Sequence, residues 1–161
     1  MTDEQVDAQL KELIRKASVN EDEWYQASME AKDVREAHRA APDEQKPDLF
    51  VLRVETDAKS GVLGKKKRNL DQSVKEMIRE QSRRHKKRME GMTNDQLKAH
   101  LRDLVAKRNA AKRRSDDLKV AAKEREGGHM AAAHTANLEF SSLNQAVGDA
   151  ERAYYQHLTT Q

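Results

Sequence analysis

Residues 118–136 read Leu118-Lys119-Val120-Ala121-Ala122-Lys123-Glu124-Arg125-Glu126-Gly127-Gly128-His129-Met130-Ala131-Ala132-Ala133-His134-Thr135-Ala136, a glycine pair set between two runs of strong helix formers. Before the pair, Leu97, Leu101, Leu104, Arg108, Ala111, Ser115, Leu118 and Ala122 recur at steps of three and four. After it, Ala133, Ala136, Phe140, Leu143, Val147, Ala150 and Tyr154 do the same. Such spacing puts one stripe on one face of a helix, and a stripe kept for about four heptads predicts coiled-coil-like packing. Reversing the chain at Gly127-Gly128 sets residues whose numbers sum to about 255 opposite one another. Leu97 then faces Leu158, Leu101 faces Tyr154, and Leu118 lies beside Ala136. The expectation is a long antiparallel helical hairpin over residues 93–161, with an acidic tip at Glu124 and Glu126 read as solvated turn residues.

The seam is thin. Arg108, Ser115, Asn144 and Gly148 interrupt it, and alanines fill other positions. At ~25 cal/mol per Å² of buried apolar surface, an alanine seam stabilises much less than a leucine one. The hairpin therefore calls for a third surface: the helix at 71–92, the N-terminal helices or another subunit.

Working toward the N-terminus, Thr93-Asn94-Asp95-Gln96 forms a capping box that opens the hairpin. Ahead of it, a helix capped by Asn69 or Asp71 carries Val74, Met77, Ile78, Gln81, His85 and Met89 on a narrow apolar face and ends near Gly91. Ser60-Gly61 and Gly64 predict a loop before it. Leu49-Phe50-Val51-Leu52-Arg53-Val54 is the one β-prone run, and helix is favoured, because a lone strand lacks a partner and Pro47 suits a first helical turn. Residues 42–47 read as a connection. Residues 1–41 predict two helices, or one broken near Val19-Asn20, with capping boxes at Thr2/Gln5 and Asn20/Glu23 and a stop at Pro42. The fold class is all-α: an acidic helical region (1–63), a basic loop and amphipathic helix (64–92), and the hairpin (93–161).

Composition agrees. Only 36% of the 161 residues are apolar and 4% aromatic, while 37% are charged, which suits long helices and excludes a large spherical core. Hydropathy this low also permits disorder, but the helical period of the apolar residues argues against it. With no cysteine, disulfides, thiolate metal sites and cysteine nucleophiles are excluded. The acidic start Met1-Thr2-Asp3-Glu4 and the lack of any ~18-residue apolar run predict a protein without a secretory signal or membrane span, placed in the cytoplasm or a viral particle.

Charge is unevenly divided. Residues 1–63 carry 9 Lys/Arg against 15 Asp/Glu, residues 64–126 carry 21 against 10, and residues 127–161 carry 1 against 3. Within Lys65 to Arg88, 11 basic residues face 3 acidic ones. Helical pairing through Glu76 and Glu80 does not neutralise that excess. Lys65, Lys66, Lys67, Arg68, Arg83, Arg84, Lys86, Lys87 and Arg88 are therefore candidates for contact with nucleic-acid phosphates. An acidic protein surface is the other candidate partner, and the acidic N-terminal region is one such surface, in cis or between subunits. No base-reading motif accompanies the cations, and residues 51–139 hold no Phe, Tyr or Trp, so contact with nucleic acid is expected to be backbone-directed.

The remaining motifs are bland. His38, His85, His100, His129, His134 and His157 show no zinc-site spacing, although the hairpin register brings His100 near His157; no metal or cofactor is expected. Neither a Walker loop nor GxSxG, HExxH or a dinucleotide fingerprint is present, which argues against an enzyme. The functional expectation is a helical structural or assembly protein of a virion or another nucleoprotein complex. It would oligomerise through Leu97, Leu101, Leu104, Leu118, Phe140, Leu143, Val147 and Tyr154, with a protein–protein adaptor lacking any nucleic-acid role as the alternative.

Overall fold

A computed structural model describes residues 1–123 and 129–160, so the turn at Gly127-Gly128 and the glutamates beside it lie outside the described residues. Four helices and no strand make up that part: α1 (Asp3–Ala40), α2 (Lys46–Met89), α3 (Asn94–Lys123) and α4 (His129–Thr159). The protein is all-helical. None of these helices is long and apolar enough to cross a membrane.

Local chemistry sets the ends. The hydroxyl of Thr2 accepts from the Gln5 amide while the Gln5 side chain accepts from the Thr2 amide, a complete capping box. Thr93 and Gln96 repeat the exchange in front of α3. Pro47 sits in the first turn of α2, where its missing N–H leaves no bond unmade. The run Leu49–Val54 is helical accordingly.

Two expectations are corrected. The loop at Ser60–Gly64 does not form, because α2 continues through it for 44 residues. Nor does α1 break at Val19-Asn20; it runs unbroken for 38. The residues that resemble punctuation are instead where α1 and α2 cross closely. A Cβ on Gly64 would meet Trp24 Nε1 at 3.2 Å, buried Asn20 donates to the Leu63 carbonyl at 3.4 Å, and the Ser28 and Ser60 hydroxyls meet at 3.1 Å. Small and polar side chains permit the approach, and tertiary contact overrides their helix-breaking tendency.

α1 and α2 run antiparallel, with Asp7 against Gln81 near one end and Arg35 against Asp57 near the other. α3 and α4 are likewise antiparallel: Asn94 bonds His157, and Arg114 reaches Glu139 at 3.9 Å. Leu101 and Tyr154 join the same core, whereas Leu158, expected opposite Leu97, is half exposed. The third surface for this pair comes from the same chain. α4 lies along α2 in parallel, with His134 at Asp71 and Asp149 at Ser82, and meets α1 where Thr135 and Ser18 share a hydrogen bond of 2.5 Å.

Two cores result. Leu10, Ile14, Ala17 and Val74 join α1 to α2, with Leu138 of α4 against them; Met89, Leu97, Leu104, Val147 and Ala150 join α2, α3 and α4. Leu97, Leu104 and Val147 are thus buried within the chain, and Leu118, Phe140 and Leu143 are half-buried. Of the seam assigned to oligomerisation, Leu97, Leu104 and Val147 are taken up by intrachain packing, whereas Leu101, Leu118, Phe140, Leu143 and Tyr154 keep part of their surface exposed. Beyond Lys67 on α2 and Glu21 on α1, hydrogen bonds and ion pairs among the described residues join only α1 to α2, leaving a two-helix projection roughly 30 Å long at ~1.5 Å per residue.

Since Gly61 is helical and a Cβ there would meet nothing within 4 Å, Gly61→Ala is expected to stabilise the chain by about 0.5–1 kcal/mol in urea unfolding. Gly64→Ala should gain less because of Trp24. A neutral or negative effect of Gly61→Ala would mean that the segment is not helical in solution.

Candidate polyanion interface on the outer face of α2

The side of α2 that meets α1 and α4 carries Thr56, Gly64, Val74, Ser82, His85 and Met89, all buried. The opposite side follows from helical geometry. Lys65, Arg68, Gln72, Lys75, Arg79, Arg83 and Lys86 recur at steps of three and four and therefore form one row. Every member is exposed to solvent. At ~1.5 Å per residue, the row from Lys65 to Lys86 is roughly 32 Å long. At its C-terminal end Arg79, Arg83, Lys86 and Lys87 line a shallow groove together with Ser82, Gln145 and one acid, Glu90.

The nine candidate cations divide into two sets. Lys67 turns inward, its side chain 24% exposed, between Glu21 at 3.1 Å and Asp71 at 2.9 Å, with its ammonium 5.7 Å from the Trp24 ring centroid. Burial pulls its pKa down, but the two carboxylates outweigh that and hold it above the ordinary lysine value. Arg84, 22% exposed, bonds Glu80 at 2.7 Å and Asp3 at 3.1 Å, and Arg88 bonds Asp3 at 2.6 Å. Their guanidinium groups lower the Asp3 pKa. Glu80, bonded by both Arg83 and Arg84, is held down to about 2 and so stays ionised well into the acid range.

The outer set is different. Lys65, Lys66, Arg68 and Lys87 are exposed and make no ion pair among the described residues, and the same holds for Lys75 and Arg79, which the candidate set lacks. Arg83 keeps a 63% exposed side chain despite its bond to Glu80, and Lys86 is 56% exposed at 3.7 Å from Asp149. The structure thus turns Lys67 and Arg84 inward and gathers Lys65, Arg68, Arg83 and Lys86 into the row. A heptad count along Lys65–Arg88 would have found Lys75 and Arg79. The tertiary acids Asp3, Glu21 and Asp149 are invisible to such a count.

A second polar cluster lies behind the row. His85 and His100 meet Nε2 to Nε2 at 2.7 Å, one imidazole donating and the other accepting, and this pair links α2 to α3. His157, which the hairpin register brings near His100, bonds Asn94 instead. Asp149, whose side chain has 0% exposure, accepts from Ser82 at 2.5 Å, Gln145 at 3.1 Å and Arg152 at 2.8 Å, with His85 Nδ1 4.0 Å away. Burial, reinforced by His100 and Arg88 against Asp149, lowers the His85 pKa. Burial also lowers that of His100, opposed by Asp103 and aided by Arg88 and Lys107. Both rings border a cleft of about 850 Å³ with Leu10, Ile14 and Leu104 on its walls. Among the described residues, no three His, Cys, Asp or Glu side chains are grouped to hold a metal ion.

This chain matches no family model, no curated protein and no solved structure with which it was compared.

The histidine pair fixes a pH response. Depressed folded-state values mean that the folded protein disfavours the proton, so this stability is present above the ordinary value of 6.5 and is lost as pH falls through 6.5 toward the lower folded values. Urea midpoints are therefore expected to drop between pH 7.5 and 5, and His100→Gln, which cannot titrate there, should flatten the drop. An unchanged pH slope in His100→Gln would assign the response elsewhere.

Proposed function

We propose that the protein is a non-enzymatic helical assembly protein that lies on nucleic-acid phosphates through the outer face of α2, as a subunit of a virion or a comparable nucleoprotein complex. The observation that carries this reading is the row Lys65, Arg68, Lys75, Arg79, Arg83 and Lys86, which stays solvent-facing while the inner cations of the same helix are matched by Asp3, Glu21, Asp71 and Glu80. The inner cations have partners that hold the fold; of the outer ones, Arg83 bonds Glu80 and Lys86 lies 3.7 Å from Asp149, while Lys65, Arg68, Lys75 and Arg79 make no ion pair among the described residues.

The chemistry favours the backbone of the polymer over its bases. Arginine and lysine at steps of about 5 Å, with one step of roughly 10 Å across Gln72, match repeated negative charge, and each phosphate neutralised on a duplex releases condensed counterions. No Phe, Tyr or Trp lies between residues 51 and 139 to stack on a base. The C-terminal hairpin, α3 and α4 as a coiled-coil-like pair, then serves as the brace that holds α2 straight through Asp149 and the core around Leu97 and Val147.

Fluorescence anisotropy with a random-sequence duplex tests the reading. If six phosphates are contacted, affinity should fall on the order of 10³-fold between 50 and 200 mM salt. The triple variant Lys75→Glu, Arg79→Glu, Lys87→Glu, at exposed cations without an ion pair among the described residues, should bind at least about tenfold more weakly at low salt while keeping its helical circular dichroism. A flat salt dependence, or full binding by the charge-reversed variant, would leave the protein–protein adaptor as the better account.

A further inference from the structure

The N-terminal half of α2 shows an unusual outer face. Phe50, Val51, Val54 and Val62 are 53%, 56%, 53% and 70% exposed, although the Phe50 ring lies 6.0 Å from that of His38 on α1 and Val62 borders a groove that Glu23 and Glu30 of α1 also line. With Pro47, Ala58 and Gly61 they continue the face of the cation row: Pro47, Val51, Val54, Ala58, Gly61, Lys65 and Arg68 alternate strictly by four and three. That is the spacing of a coiled-coil seam, and among the described residues no helix of the chain covers it. A contiguous exposed apolar stripe on a soluble helix marks an interaction surface.

We propose that this stripe is the contact between two copies of the chain, joined α2 to α2 in antiparallel orientation about a twofold axis near residue 56. Charge selects both the partner and the orientation. In that register Phe50 of each copy meets Val62 of the other, Val51 lies over Gly61, and Val54 meets Ala58. At each end Pro47 faces Lys65, with exposed Asp48 alongside, and the turn that carries Glu44 just before α2 comes to the end near Arg68. An acidic end thus meets a basic end twice. A parallel pair would instead stack Lys65 on Lys65 and Arg68 on Arg68, which like-charge repulsion disfavours. The small residues Ala58 and Gly61 let the helices approach near the axis, and an antiparallel twofold contact closes without propagating.

This contact shares only Lys65 and Arg68 with the row proposed to meet phosphates. It rests on apolar residues, so it should persist in high salt, where the phosphate contacts are lost. Lys75, Arg79, Arg83, Lys86 and Lys87 lie outside it.

Sedimentation equilibrium of the full chain in 0.5 M salt, without nucleic acid, is the test. The expected result is a dimer, with Val54→Lys weakening dimerisation by about a hundredfold and leaving the circular dichroism unchanged, because Val54 is already exposed. Glu44→Arg should weaken it less, and the double variant Glu44→Arg, Arg68→Glu should recover it. Since the chain has no cysteine, Val54→Cys mixed with Ala58→Cys should give an oxidised dimer faster than either variant alone. A chain that is monomeric at all concentrations, or an oligomer indifferent to Val54→Lys, overturns the proposal.

Discussion

One buried carboxylate holds the two halves of the molecule in register. Asp149 lies on α4 with its side chain entirely out of water, where an uncompensated charge would cost several kcal/mol. It is compensated by Ser82 of α2, by Gln145 and Arg152 of its own helix, and by the nearby Lys86. These partners exist together only when α4 lies along α2 at one rotation and one height. That placement sets Thr135 against Ser18 and His134 against Asp71, and it brings α3 with it through Leu97, Leu104 and Val147. An apolar residue in its place would allow α4 to slide, since the alanines at 133, 136 and 150 present a smooth face with little shape to resist translation.

Thin cores and dense charge are two sides of the same design. Alanine, serine and glycine at the crossings bring helices close but bury little area, so polar and ionic contacts carry much of the specificity. Surface ion pairs contribute only about 0–1 kcal/mol each. The partly buried triad of Lys67, Glu21 and Asp71 differs because its members are held by the fold beside the Trp24 ring. Acidic α1 and basic α2 are thus complementary within the chain, and the excess of cations appears only on the face that α1 cannot reach.

The helical class and the capping boxes at Thr2/Gln5 and Thr93/Gln96 were legible because each depends on short-range spacing, whereas the box expected at Asn20/Glu23 lies inside unbroken α1. The lengths of α1 and α2 were not legible. Asn20 and Gly64 carry the local signs of a cap and a breaker, and only the approach of Trp24 and Leu63 explains why those residue types are needed in mid-helix. The candidate site was half legible for the same reason. A run of lysines and arginines is visible in the sequence, but which of them face Asp3 or Glu21 depends on residues some fifty to eighty positions away. Likewise His85 and His100 meet across two helices that no periodicity relates.

The unbroken course of α2 has a mechanical consequence. Because no loop intervenes at Ser60–Gly64, the apolar stripe and the cationic row sit on one stiff rod, about 66 Å long at ~1.5 Å per residue. Two such rods joined antiparallel about an axis near residue 56 would hold their Arg79 positions on the order of 70 Å apart. There is no linker to average over, so the reach is fixed rather than distributed. Such a pair bridges segments of a polymer only at that separation, and its avidity depends on how the polymer is spaced, not on how it is sequenced.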